Sequence, residues 1–192
     1  MLEETLPERG RVILMMNDYI YDEVGRVVRK YRTRDPFELL DCLNAELRIA
    51  YHYGKHGLKG FSTVANRLKF VVINGRLNEY EQRVVAGHEA AHLAIHMDEL
   101  LKSPARMLKD FNLWDDSGRI ERQANLFTAD FMLDDDAVMD VVQYGGDDRD
   151  FFGAARELYV PPPLLAFKLY SMMRRGFDVR VPVDLDSKFL GR

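Results

Sequence analysis

The sequence contains little cysteine and no long hydrophobic run. Cys42 is the single cysteine among 192 residues, which excludes an intramolecular disulfide and a zinc site built from several thiolates. Because Cys42 lies in the apolar pattern of Leu39, Leu40 and Leu43, we expect a buried small side chain rather than a nucleophile. The apolar run Val12–Met16 is too short to cross a bilayer, and we recognise no secretory signal. We therefore expect a cytoplasmic protein without a membrane partner.

The chain also lacks an excess of positive charge. Its 27 basic and 31 acidic residues give a net charge of −4, which argues against a dedicated nucleic-acid-binding protein. The basic clusters at residues 26–34 and 168–175 are more simply explained as solvated helix faces. A composition of 47% hydrophobic and 30% charged residues is typical of a globular protein, and this length suffices for a core.

Local patterns in the first half predict two helices and a hairpin. Residues 13–32 have helical apolar spacing, and Asp35 before Pro36 is a typical start for a second helix that reaches about Asn44. The β-branched and aromatic runs Phe61–Val64 and Arg67–Ile73 predict two adjacent strands.

The second half is predicted to be helical. Asn78 and Glu81 have the spacing of a capping box and predict a helix from there to about residue 101. A further helix is expected over Arg119–Met132. A C-terminal helical pair is expected at about residues 150–158 and from the triple proline at 161–163 to about residue 176.

The first of these later helices carries His88-Glu89-Ala90-Ala91-His92. Residues four apart lie about 40° apart around a helix, so both imidazoles can hold one ion. Glu89 is turned about 100° from His88 and can reach a water in an open coordination position. This is the arrangement of a metal-assisted hydrolase, and the alternative interpretation is a buried structural pair of histidines.

Two acids compete as a third metal ligand. Asp98 follows His92 by six residues, but Ile95 stands where a sharp turn would require glycine, so we expect the helix to continue and to carry Asp98 away. Glu121 begins a separate helix, in which the small Ala124 permits close approach. We therefore predict His, His and Glu ligands from two crossed helices.

The roles of several other polar residues are left open by the sequence. His96 extends the row of the paired histidines, but one further turn is about 6 Å of rise, so we expect a structural or supporting role rather than a fourth ligand. His52, His56, Tyr80 and Tyr144 are candidates for a donor that stabilises an oxyanion, and the sequence does not choose among them.

The motif and the element Glu121-x-x-Ala124-Asn125-x-Phe127 together resemble the ImmA/IrrE family of bacterial and phage metallopeptidases. The resemblance covers about residues 33–176 and includes the segments 35–39, 58–61 and 72–74. Many members have Leu-Gly at positions 90 and 91, and a proline often ends the Glu-bearing helix where this chain has three aspartates, at 134–136.

This resemblance implies Zn²⁺ held by His88, His92 and Glu121, with Glu89 as the catalytic base. It also implies action on a protein or peptide substrate, namely a helix-turn-helix repressor of a phage, mobile element or stress response.

The fold expected with this resemblance is α+β, with a mostly helical zincin-like core and a small, largely antiparallel sheet. We expect this metallopeptidase domain over residues 1–144. A C-terminal helix-turn-helix-like segment, residues 147–192, should pack on it. Repressor docking or DNA contact is the functional alternative to simple packing for that segment.

Two other functions compete with peptidase activity. A non-catalytic metal-containing regulator or antirepressor would bind a partner without cleaving it, and a closed four-ligand site would favour that interpretation. Two histidines and a carboxylate also suit a non-haem Fe(II) centre, although Glu89 beside the first histidine favours hydrolysis. The substrate, the cleavage site and the oligomeric state are left open by the sequence.

Overall fold

The computed structural model describes residues 8–54, 57–102, 118–143 and 150–180. In these ranges the helices are α1 (Glu8–Tyr31), α2 (Pro36–Cys42), α3 (Glu79–Ile95), α4 (Met97–Lys102), α5 (Arg119–Met132), α6 (Asp135–Gln143), α7 (Phe151–Glu157) and α8 (Pro162–Arg174), and the strands are β1 (Ala45–Ala50), β2 (Gly60–Ala65) and β3 (Leu68–Asn74). The α+β class is confirmed. None of the described helices combines the length and apolar character needed to cross a bilayer.

Helix α2 begins as the sequence predicts. The Asp35 carboxylate accepts the backbone N–H groups of Phe37 and Glu38, and Pro36 occupies the first turn. Cys42, however, is exposed, so the expectation of a buried thiol is wrong. The buried leucines at 39, 40 and 43 share one face, and the 100° step per residue places Cys42 beside that face rather than on it.

The sheet has the strand order β1-β3-β2. Strands β2 and β3 form the predicted antiparallel hairpin. Its turn residues Asn66 and Arg67 have φ of 51° and 66°, as a type I′ turn requires. Strand β1 was not predicted, and it pairs with β3 in parallel, so the sheet is mixed rather than antiparallel throughout.

Helix α3 has the predicted capping box between Asn78 and Glu81, but it ends earlier than expected. His96 has φ −121° and ψ 24° and separates α3 from α4, so the prediction of one helix to about residue 101 is wrong. The break needs no glycine, because φ of His96 stays negative.

The core lies where α3 and α5 pack together. Residues 84–93 of α3 and 123–131 of α5 are all buried. Gly87 permits this close contact, because a Cβ there would lie 2.8 Å from Cγ2 of Thr128. Small residues at the crossing therefore bring the two predicted ligand-bearing helices together.

The C-terminal helices α7 and α8 lie close to their predicted positions, whereas α6 was not predicted. Lys168 of α8 is buried and its Nζ lies 2.9 Å from Oδ1 of Asp130 in α5, so α8 packs directly on the Glu-bearing helix. The division at residues 144–147 stays a prediction. Its glycine-rich linker, together with His56 and Tyr144, lies outside the described residues.

Candidate metal centre

The structure brings the three predicted ligands together. His88 and His92 lie one turn apart on α3, and their Nε2 atoms are 3.0 Å apart. Glu121, in the first turn of α5, places its Oε2 at 3.1 Å from Nε2 of His88 and 3.5 Å from Nε2 of His92. Within the described part of the chain, these residues form the one group of three or more metal-binding side chains.

The spacing of the three donor atoms fits an ion of the size of zinc. Tetrahedral zinc with Zn–N and Zn–O bonds of about 2.0–2.1 Å separates its ligand atoms by about 3.3 Å. The three observed separations, 3.0, 3.1 and 3.5 Å, lie on both sides of this value. A metal can therefore be held without any large rearrangement of these side chains.

A hydrogen bond to an acceptor on α5 sets the tautomer of His88. Its Nδ1 lies 2.9 Å from Oδ1 of Asn125, and an amide oxygen can only accept a hydrogen bond. Nδ1 of His88 therefore carries the proton and donates it, which leaves the Nε2 lone pair directed at the other two donor atoms. Asn125 belongs to the Glu-x-x-Ala-Asn element noted in the sequence.

His92 is held through a second histidine. Nε2 of His96 lies 3.0 Å from Oε1 of Gln123, so this nitrogen is the donor and Nδ1 of His96 is an acceptor. Nδ1 of His92 lies 3.1 Å from that acceptor and donates to it, which leaves its own Nε2 lone pair facing Glu121. His96 thus directs both ring nitrogens away from the three donor atoms.

The protonation states suit metal ligands. Burial lowers the pKa of His92 to about 4, although the neighbouring Glu121 carboxylate acts in the opposite direction. Burial alone raises the pKa of Glu121, but the adjacent His88 and His92 imidazoles outweigh it and hold the pKa well below its ordinary value. At neutral pH His92 is therefore neutral and Glu121 is ionised, as coordination requires.

Glu89 follows His88 directly on α3 and is fully buried. A Cβ at Gly60 would collide with Cγ1 of Val85 and would lie 3.3 Å from Oε1 of Glu89. The Glu89 carboxylate is therefore packed against the first residue of β2. This role of Gly60 was not predicted from the sequence, although a glycine at the start of a strand signals close approach of another group.

Asn74 at the end of β3 fixes the chain that leads into β2. Its Nδ2 donates to the carbonyl oxygens of Gly54 and Leu58, at 3.0 and 2.9 Å, and its backbone N–H donates to Lys59. The position of Gly60 against Glu89 thus depends on a buried amide that the sequence analysis did not single out.

Other predicted residues lie elsewhere. Asp98 is exposed on α4 and is not part of the three-residue group, even though the helix ends before it. His52 is exposed with its ring 4.0 Å from that of Tyr53. Tyr80 packs edge-on against Tyr159, about 12 Å along the α3 axis from His88.

Comparison with known proteins gives two matches. The model of a peptidase family, described as the IrrE N-terminal-like domain, matches residues 46–170, which include His88, Glu89 and His92 of the motif and the partner acid Glu121. An uncharacterized immunity region protein 2 of Bacillus phage phi105 is 30% identical over 131 residues, covering 68% of this chain and 75% of the phage protein.

Proposed function

Since this chain belongs to the ImmA/IrrE family of peptidases, whose model covers the sheet and most of the helices, we propose that it is a zinc-dependent endopeptidase. The observation that carries the proposal is the convergence of His88, His92 and Glu121, with donor atoms 3.0–3.5 Å apart. Glu89, buried next to His88, supplies the acid–base group that hydrolysis requires.

In this proposal His88, His92 and Glu121 hold the ion. Zinc, when bound there, supplies Lewis-acid activation of the attacking water and of the scissile carbonyl. The three-residue donor set also suits Fe(II), but a buried carboxylate one residue after the first ligand favours hydrolysis over oxygen chemistry. His96, which turns both ring nitrogens away, leaves the set at three protein ligands. This supports an enzyme rather than a closed structural site.

Glu89 moves the proton. Its carboxylate accepts a proton from water as the water oxygen bonds to the peptide carbonyl carbon. The same carboxylate then gives the proton to the amide nitrogen as the C–N bond breaks. The contact with Gly60 holds Glu89 on the side of the site where β2 begins.

Strand β2 is the proposed position of an extended substrate. Strand β3 is paired on both sides, with β1 and with β2, and cannot accept another strand. Within the described residues β2 pairs with β3 alone, and its first residue adjoins Glu89. A peptide added to this edge would bring its main chain close to Glu89.

The proposed target is a helix-turn-helix repressor of a phage or mobile element, acted on in the cytoplasm. Support comes from the phage relative, whose name places it in an immunity region. A cleaved repressor would lose its function irreversibly, which suits a regulatory peptidase.

The proposal is tested by metal analysis of the purified protein together with digestion of a helix-turn-helix repressor encoded beside its gene. We expect one zinc per chain, and cleavage that stops with a chelator and returns with added zinc. Stoichiometric zinc without cleavage, combined with tight repressor binding, would support the non-catalytic regulator instead. A protein that binds no metal would contradict both.

A further inference from the structure

Two buried side chains next to the donor atoms have no role in the mechanism above. His96 is 2% exposed and Gln123 is 6% exposed, and neither contributes an atom to the three-residue group. They form a continuous chain of contacts with His92, through Nδ1 to Nδ1 at 3.1 Å and Nε2 to Oε1 at 3.0 Å. The chain begins on α5 and ends on the second proposed ligand.

His92 has two neutral tautomers, and only one can bind a metal through Nε2. With the proton on Nδ1, His92 donates to His96 and keeps its Nε2 lone pair for the ion. With the proton on Nε2, His92 can instead donate to Oε2 of Glu121, 3.5 Å away, and the lone pair is lost. Because the ring is fully buried, water cannot supply a missing acceptor for Nδ1–H.

We propose that His96 and Gln123 form a relay that holds His92 in the tautomer whose Nε2 lone pair faces the ion. This inference rests on the proposed metal binding by His92. Gln123 acts first, because its oxygen fixes the proton of His96 on Nε2. His96 then presents an acceptor to His92. Both are positioning residues, and neither touches substrate or ion.

With this relay, residues of α5 act on all three proposed metal ligands. Glu121 of α5 is itself a proposed ligand, Asn125 of α5 sets the tautomer of His88, and Gln123 of α5 sets that of His92. The packing of α5 on α3 thus prepares both imidazoles before an ion arrives. A site prepared in this way loses no binding free energy to a change of tautomer.

The decisive variant is Gln123→Leu, which changes a residue whose side chain hydrogen-bonds to His96 rather than to His92. Without the amide oxygen, the proton of His96 moves to Nδ1, where it can donate to Nδ1 of His92. His92 is then forced into the tautomer protonated on Nε2. Gln123→Glu, which keeps an acceptor oxygen at the same place, should leave the tautomer unchanged.

Two substitutions of His96 provide a second pair of variants, one disruptive and one conservative. His96→Leu removes the acceptor and should also move the His92 proton towards Nε2. His96→Asn keeps an oxygen close to the position of Nδ1 and should preserve the wild-type tautomer. Thr128→Val is the matched control, since it removes a buried hydrogen bond on α5 next to α3 but has no link to His92.

Two measurements are made at neutral pH. Imidazole ¹⁵N spectra of the metal-free protein report the His92 tautomer directly, and competition with a chelator gives the Kd for zinc. We expect Gln123→Leu and His96→Leu to shift the tautomer and to raise the Kd by about 10- to 100-fold. Gln123→Glu, His96→Asn and Thr128→Val should remain within a few-fold of wild type.

An unchanged His92 tautomer in Gln123→Leu would overturn the relay, even if the wild type binds zinc normally. A shift in Thr128→Val as large as that in Gln123→Leu would also overturn it, because general loosening of α5 would then explain the effect. If His96→Leu fails to fold, the Gln123 pair decides alone. Failure of the wild type to bind zinc would contradict the proposed function, whereas the metal-free spectra would still test the relay.

Discussion

The side chains of the site have different roles, so their substitutions should have distinguishable effects. His88 is oriented by its hydrogen bond to Asn125 of α5 and His92 by its hydrogen bond to His96, and Glu121 is an ionised metal donor. Glu89 is fully buried and is not one of the three metal-donor side chains. Loss of a donor should therefore remove the metal, whereas loss of Glu89 should remove only proton transfer.

Glu89→Gln is expected to keep zinc binding close to wild type and to lower the rate of repressor cleavage by about 10²- to 10⁴-fold, because the amide cannot accept the proton of the water. Metal content by atomic emission and cleavage by electrophoresis check both parts. Glu79→Gln, an exposed acid on the same helix, is the control for the change of charge. Loss of zinc from Glu89→Gln would show that Glu89 has been given the wrong role.

Gly60→Ala is expected to lower both stability and activity. The new Cβ would collide with Val85 and press on Oε1 of Glu89 at 3.3 Å. Overpacking of this kind costs about 1–3 kcal/mol of unfolding free energy. Urea unfolding and cleavage rates measure the two effects, while zinc binding should be retained.

Gly54→Ala is the matched control, because a Cβ at Gly54 meets no heavy atom within 4 Å. Full activity in Gly60→Ala would contradict the packing of Glu89 against β2.

The sequence predicts the residues of this site unevenly, for a physical reason. His88, Glu89 and His92 are related by helical geometry alone, so their spacing is sufficient. Glu121 needed the further assumption that two helices cross. Gln123 and Gly60 act through contacts with distant segments, and no local pattern encodes a distance between segments.

At the scale of the elements, the close contact between α3 and α5 is what assembles the site. Gly87 and Thr128 meet at this contact, and Ala124 is fully buried in α5. The sequence analysis identified Ala124 as small enough for a crossing but did not identify Gly87. Glycine inside a helix normally weakens it, so its presence here signals a neighbour that leaves no room for Cβ.

Gly87→Ala is expected to destabilise the protein by roughly 1–2 kcal/mol, since a clash worth about 1–3 kcal/mol outweighs a helix-propensity gain of up to about 1 kcal/mol. The clash is with Cγ2 of Thr128, at 2.8 Å. Thr128→Ser removes that methyl group and keeps the hydroxyl.

The double variant tests the contact itself. If Gly87 and Thr128 meet as described, Gly87→Ala should cost less in the Thr128→Ser background than alone, as measured by urea unfolding. Strict additivity of the two substitutions would contradict the described contact.

The elements that were not predicted from the sequence have no strong local sequence pattern. Strand β1 has charged residues at 46 and 48, is largely exposed, and gains its strand character from pairing with β3. The end of α3 at His96 likewise has no glycine or proline to announce it. In contrast, the capped helices α2 and α3 and the hairpin carry explicit start or turn residues, and the starts of these helices and the hairpin turn were predicted closely.

At the scale of the whole molecule, a second buried polar cluster links α1, α6 and α8 to α5, the Glu-bearing helix. Asp135 of α6 bonds to Lys168 and to Arg175, at 2.6 and 2.7 Å, and accepts a hydrogen bond from Tyr21 of α1. Lys168 also meets the buried Asp130 of α5. This cluster holds α8 against α5, α6 and α1.

The same cluster predicts how stability depends on pH. Burial alone raises the pKa of Asp135, but hydrogen bonds and charges from Arg175 and Lys168 outweigh it and hold the pKa well below its ordinary value. Its contribution is therefore complete above the unfolded pKa of about 3.9. As the pH falls below that value, the unfolded chain takes up a proton that the folded chain does not, so this contribution is lost.

Asp135→Asn should therefore destabilise the protein at pH 7 by about 1.5–3 kcal/mol, because hydrogen bonds from charged donors are weakened. The difference from wild type should shrink steadily as the pH is lowered from about 4 towards 2.5, since the wild type loses the same contribution by protonation. Chemical unfolding at a series of pH values measures the difference directly, and other acids cancel in it. Asp140→Asn, on the exposed side of the same helix, should show no such convergence. A difference for Asp135→Asn that stays constant down to pH 2.5 would mean that the Asp135 charge does not hold α6 to α8.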